Sequence, residues 1–85
     1  MAKTLMEHRD ELGRLFNLGR AMPRERLAQV AEVAMSTVDR IESGQVPRPI
    51  TRTRLTRALG KLYAEKGVEG EVAVEWPAEA EAEVV

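Results

Sequence analysis

Arg54, Arg57 and Lys61 recur at spacings of three and four, which on a helix puts them on one face, away from Leu55 and Leu59. A stripe of fixed positive charge at that spacing suits a polyanion, because each cation neutralises a phosphate and releases its counterion. Other chemistry is poorly supplied. The 85 residues hold no cysteine and one histidine, His8, which excludes disulfides, thiolate zinc sites and a histidine metal cluster. Glu7, Asp10 and Glu11 crowd the start of a helix, where carboxylates favour the macrodipole rather than forming an acid–base pair. There is no glycine-rich phosphate loop and no pair of carboxylates on facing elements. The chain is therefore expected not to be an enzyme, and to need neither cofactor nor metal.

The formal net charge of −1 conceals a division. Residues 1–67 hold all thirteen Lys and Arg against eight acids, a net of +5, whereas residues 68–85 hold six Glu and no base. The expectation is one basic domain over 1–67 followed by an acidic tail over 68–85. A chain of this length supports one modest core, and with only Phe16, Tyr63 and Trp76 as aromatics that core must be built from Leu, Val, Ile and Ala. No window approaches the ~20 apolar residues of a membrane span, and MAKTLMEHRDE lacks a signal peptide's apolar run, so a cytoplasmic protein is expected.

Four helices can carry these residues. Thr4 and Glu7 have capping-box spacing, and Leu5, Leu12, Leu15, Phe16 and Gly19 continue near one stripe, predicting a helix over 5–20. Pro23 is suited to a first helical turn, and Leu27, Ala28 and Ala31 line the inner face of a second helix. After Glu32-Val33-Ala34 a third set, Met35, Val38 and Ile41, restarts out of phase and stops at Gly44. Gln45 to Pro49 reads as an exposed loop, since two prolines remove donors. Thr51 can then cap a fourth helix through Leu55, Ala58, Leu59, Leu62 and Tyr63 to about Gly67. Beyond Gly70 the period changes to two, predicting a strand over 71–76 with Val72, Val74 and Trp76 on one side, and AEAEAEVV after it reads as disordered.

Rotating the third helix by about 100° per residue sets Ser36, Asp39, Arg40 and Ser43 opposite Val38 and Ile41. Arg40 could bond a guanine edge in bidentate fashion, Ser36 several bases, Asp39 a cytosine amino group and Met35 a thymine methyl. The run Leu27-Ala28, Val33, Ser36-Thr37-Val38, Arg40-Ile41-Glu42-Ser43-Gly44, extending through Arg48-Pro49 and Leu55 to Ala58-Leu59-Gly60, resembles the helix-turn-helix of the phage-repressor and Cro-like (XRE-type) family. That resemblance covers roughly half the chain, from Asn17 to Gly60.

The resemblance implies an all-α fold: a four- to five-helix bundle of the lambda-repressor-like type, here with a short C-terminal strand. It implies base reading by Met35, Ser36 and Arg40, joined on chemical grounds by Asp39. It implies phosphate contacts from Arg24, Thr37 and Arg48, to which Arg52, Arg54 and Arg57 add charge. The chain departs from the family at Glu32, where Gly is favoured and a changed turn is expected; at Ala34, where a capping Ser or Thr is usual; and at Asn17, where an Arg often pairs with the Glu that is Glu42 here. Glu42 is accordingly expected to find Arg14, Arg20 or Asn17.

The function expected is that of a nucleoid-associated transcriptional regulator, a repressor of phage, plasmid or mobile-element type, binding a pseudo-palindromic operator in double-stranded DNA as a homodimer. An antitoxin or restriction-modification controller fits the same residues, and a protein-interaction adaptor is the alternative from another class. Trp76 is expected either to be an exposed aromatic without a role in a disordered tail or, in a strand with Val72 and Val74, to pair across a two-fold axis, to dock on its own domain, or to meet another protein.

Overall fold

The computed structural model describes residues 2–77, and the acidic run expected to be disordered over 78–85 lies outside the described residues. Its elements in order are β1 (Lys3–Thr4), α1 (Leu5–Leu15), α2 (Arg24–Ala31), α3 (Met35–Glu42), α4 (Pro49–Glu65) and β2 (Val74–Glu75). The fold is mostly helical, with a two-stranded parallel sheet pairing Lys3 with Val74 and Thr4 with Glu75.

The capping box at Thr4 is present. Its hydroxyl accepts from the Glu7 amide at 3.1 Å while its own amide donates to Glu7 Oε1 at 2.8 Å, satisfying two amides that a helix start leaves open. The ends of the helices share one device. After α1 the amides of Asn17 and Leu18 turn back to the carbonyls of Arg14 and Gly13, and the same pair of bonds recurs at Glu32 and Val33, at Gly44 and Gln45, and at Gly67 and Val68. The left-handed position of this motif is held by Asn17 (φ 58°), Glu32 (φ 60°), Gly44 (φ 112°) and Gly67 (φ 77°). Helix α1 thus stops at Leu15 rather than Arg20, because Asn17 takes the left-handed turn that asparagine tolerates. At Glu32 the turn is not altered in shape: a charged, Cβ-bearing residue occupies the conformation that glycine would hold without strain.

Two helix starts also differ from expectation. Pro23 is the N-cap of α2 rather than its first residue. Pro49 is not loop but the first residue of α4, so Arg48, not Thr51, caps it. The missing proline amide is one that a first helical turn would leave unpaired in any case.

The core lies where the four helices meet, with Leu12, Met22, Leu27, Val38, Leu55, Leu59 and Leu62 fully buried. The segment after α1 crosses back over that helix so closely that a Cβ on Gly13 would stand 1.9 Å from the Arg20 carbonyl oxygen. Residues 72–76 stay with the domain instead of leaving it at residue 67: Val72, Val74 and Trp76 pack on the core, and β2 finds its partner in the same chain. His8 is buried between two partners. Its Nε2 donates to the Ala73 carbonyl (2.8 Å), and its Nδ1 is hydrogen-bonded to the Tyr63 hydroxyl (2.7 Å), whose pKa burial raises. Among the described residues no helix is long and apolar enough to cross a membrane.

Candidate functional site

Helix α3 divides into two faces. Val38 and Ile41 are buried against the core, as the restart of the apolar pattern predicts. Ser36, Asp39 and Arg40 are exposed, Thr37 is half-buried, and Met35 is 54 % exposed, a large apolar side chain in solvent. Ala34 supplies no side-chain cap, so the first amides of α3 go without that bond.

The other end of α3 is fixed by charge. Glu42, 3 % exposed at its side chain, accepts from Arg9 Nε at 2.6 Å, Arg9 Nη2 at 2.9 Å and Arg24 Nε at 2.8 Å. Arg9 Nη1 donates to the Met22 carbonyl at 2.7 Å, so this one side chain links α1, the segment before α2, and α3. Burial alone would raise the Glu42 carboxyl, but the hydrogen bonds from Arg9 and Arg24 outweigh it and hold the group below the ordinary carboxylate range. The partners expected for Glu42 are therefore corrected: Arg9 and Arg24 replace Arg14, Arg20 and Asn17. Arg14 instead pairs with Glu11 one turn away. Arg9 was legible in principle, since it falls four residues after Leu5 and three before Leu12, and a guanidinium on an apolar stripe must find an anion.

Arg24 is thus already engaged inside the chain. Its guanidinium pKa is raised by the hydrogen bond to Glu42, with Asp39 Oδ1 3.8 Å from the same nitrogen, yet its side chain remains 40 % exposed. Arg54, from the basic stripe, donates to the carbonyl of Glu32 at 3.1 Å and so braces the strained turn between α2 and α3. Arg52 is half-buried and engaged within the domain. Arg40, Arg48 and Arg57 are exposed and meet no acceptor among the described residues.

Thr37 and Arg40 of α3, Gln45 to Arg48 of the connecting segment, and Thr51 of α4 line one open groove of about 240 Å³. Pro47, buried at its base, holds that segment against the domain. The groove joins a residue expected to read bases, Arg40, to two expected to meet phosphates, Thr37 and Arg48. Arg57 does not line it, nor do Val72, Val74 and Trp76. Trp76 instead shares a separate pocket with Ile41 and Gly44 at the end of α3, and Val72 one with His8 and Tyr63. Among the described residues no group of three or more His, Cys, Asp or Glu could hold a metal ion.

What the arrangement offers is two guanidiniums, unpaired among the described residues, and two threonine hydroxyls on an open surface, which can bind oxygen acceptors spaced along a polyanion. Compared with family models, with curated proteins and with solved structures, the chain finds no match.

Proposed function

We propose that the protein is a sequence-specific DNA-binding transcriptional regulator, a repressor of phage-repressor or Cro-like type. In this reading α2 and α3 form a helix-turn-helix, α3 enters the major groove, and α2 braces it across the backbone. The observation that carries the reading is the shared groove of Arg40 and Arg48, two arginines on adjoining elements that meet no acceptor among the described residues. Arg40 stands on the exposed face of a helix and can take a guanine edge by two parallel bonds, while Arg48 and Thr37 take the flanking phosphates. The Arg9–Glu42–Arg24 cluster supports it too, since base reading needs a helix held rigidly. Binding as a homodimer would set half-sites about 34 Å apart on a pseudo-palindrome.

The test is a selection from random duplexes followed by affinities at several salt concentrations. Arg40→Ala should relax preference at one base pair, by about 1–3 kcal/mol. Arg48→Ala should weaken all duplexes alike and reduce the salt slope by about one. Failure of both substitutions to change DNA binding refutes the proposal. Exposed Met35, Val46 and Ile50 favour a second use of this face, as a protein-docking surface. That reading predicts no enrichment of any duplex.

A further inference from the structure

We propose that residues 78–85 act as an intrachain competitor for the Arg40–Arg48 groove, an acidic segment that DNA phosphates must displace. Its consequence rests on the DNA-binding reading; the contact itself does not.

Two observations carry it. The first is where the segment sets off. Pro77, the last described residue, lines a pocket of about 350 Å³ with Ile41, Glu42 and Gly44, at the C-terminal end of α3. From that same end the chain runs through Gln45, Val46 and Pro47 to Arg48, which together form one wall of the groove. Eight residues reach at most about 27 Å, roughly twice the ~12 Å length of an eight-residue helix such as α3. The groove is within reach without any movement of β2.

The second observation is charge. Residues 78–85 carry Glu79, Glu81 and Glu83 and no base. Arg40 and Arg48 are exposed and meet no acceptor among the described residues. Glu42, the carboxylate of α3 beside the segment's root, is matched by Arg9 and Arg24. Carboxylates on alternate residues resemble phosphates in sign and in their acceptor oxygens. Each exposed pair is weak, but the short tether supplies an effective concentration in the mM range, which is enough to occupy a site of mM affinity much of the time. DNA binding should be weakened about two- to tenfold by this competition, most at low salt.

The experiment compares the full chain with its Glu79→Gln/Glu81→Gln/Glu83→Gln variant, which keeps length and composition otherwise unchanged. In amide NMR spectra at about 50 mM salt the two should differ at Arg40 and at 45–48, and the differences should fade at about 0.5 M. The variant should bind a non-cognate duplex about two- to tenfold more tightly at low salt and less than about twofold more tightly at 0.3 M. In an Arg40→Ala/Arg48→Ala background that gain should disappear. Spectral differences absent or spread evenly over the domain, or a gain undiminished without the two arginines, overturn the proposal. Localised spectral differences with no duplex binding by either protein would uphold the contact and refute the DNA-binding reading instead.

Discussion

Replacing Arg9 by Ala should cost about 3–5 kcal/mol of folding stability, the range for removing one partner of a buried ion pair. The magnitude can be built from the contacts. Arg9 makes two charge-assisted bonds to Glu42 and one to the Met22 carbonyl. Losing it leaves a carboxylate that is 3 % exposed with Arg24 as its remaining partner, and a backbone carbonyl without its donor. An unsatisfied buried group costs about 1–3 kcal/mol, more when charged, so the orphaned carbonyl and the half-matched carboxylate together fall within that range. A domain of this size has roughly 4–12 kcal/mol in total, so the alanine variant will be close to unfolding.

Urea denaturation gives the assay. With a slope near ~1 kcal/mol/M, a loss of about 3 kcal/mol moves the midpoint by about 3 M. Arg9→Lys keeps the charge but not the planar fork, and should fall between wild type and alanine. The double cycle with Glu42→Gln should give a coupling of about 2 kcal/mol. The sign with pH follows from Glu42 having a lowered pKa in the fold. Its contribution is complete above its unfolded value near 4.5 and is lost as pH falls through the folded value. The gap between wild type and Glu42→Gln should therefore be widest at neutral pH and shrink as pH falls from about 4.5 through the lowered folded value. A midpoint shift for Arg9→Ala below about 1 M, an additive cycle, or a gap that widens in acid would refute the reasoning.

Other substitutions probe the backbone. Gly13→Ala should destabilise by about 3 kcal/mol in the same urea assay, because a Cβ 1.9 Å from the Arg20 carbonyl forces the crossing segment away from α1. Glu32→Gly should stabilise by about 1 kcal/mol, since glycine holds φ near 60° without the penalty of a side chain. Ala34→Ser should add a cap to α3 and raise the midpoint by the equivalent of about 1 kcal/mol. Because neither Glu32 nor Ala34 belongs to the groove, the last two variants should leave any DNA affinity within about twofold.

Legibility varied with the range of the interaction involved. Helix α3 could be read to within a residue of its end, because its apolar phase changes at Met35 and a glycine closes it. The capping box at Thr4 was equally plain, being a pattern of two residues three apart. The end of α1 is harder. The left-handed position there falls to Asn17, a residue type that punctuates a chain less clearly than glycine. Pro49 reads as loop because proline is excluded from a helix interior, yet the first turn, where it stands, accepts it. Within the candidate site, the exposure of Arg40 and Arg48 followed from helical phase and from the prolines. The pairing of Arg9 with Glu42, thirty-three positions apart, and the engagement of Arg24 and Arg54 depend on how the helices cross, which local pattern does not encode. Two-residue strands have no period to detect, so β1 left no trace.

The sheet that joins Lys3 and Thr4 to Val74 and Glu75 also bears on kinetics. It closes a loop containing all four helices, so its pairing can form only after most of the chain's entropy has been spent. The helices, whose contacts are mainly nearer in sequence, should assemble first, with the strands zipping on afterwards. Unfolding should run in the reverse order. The amides of β1 and β2 should then exchange with solvent through an opening that leaves α2, α3 and α4 intact, well before those at the centre of α4.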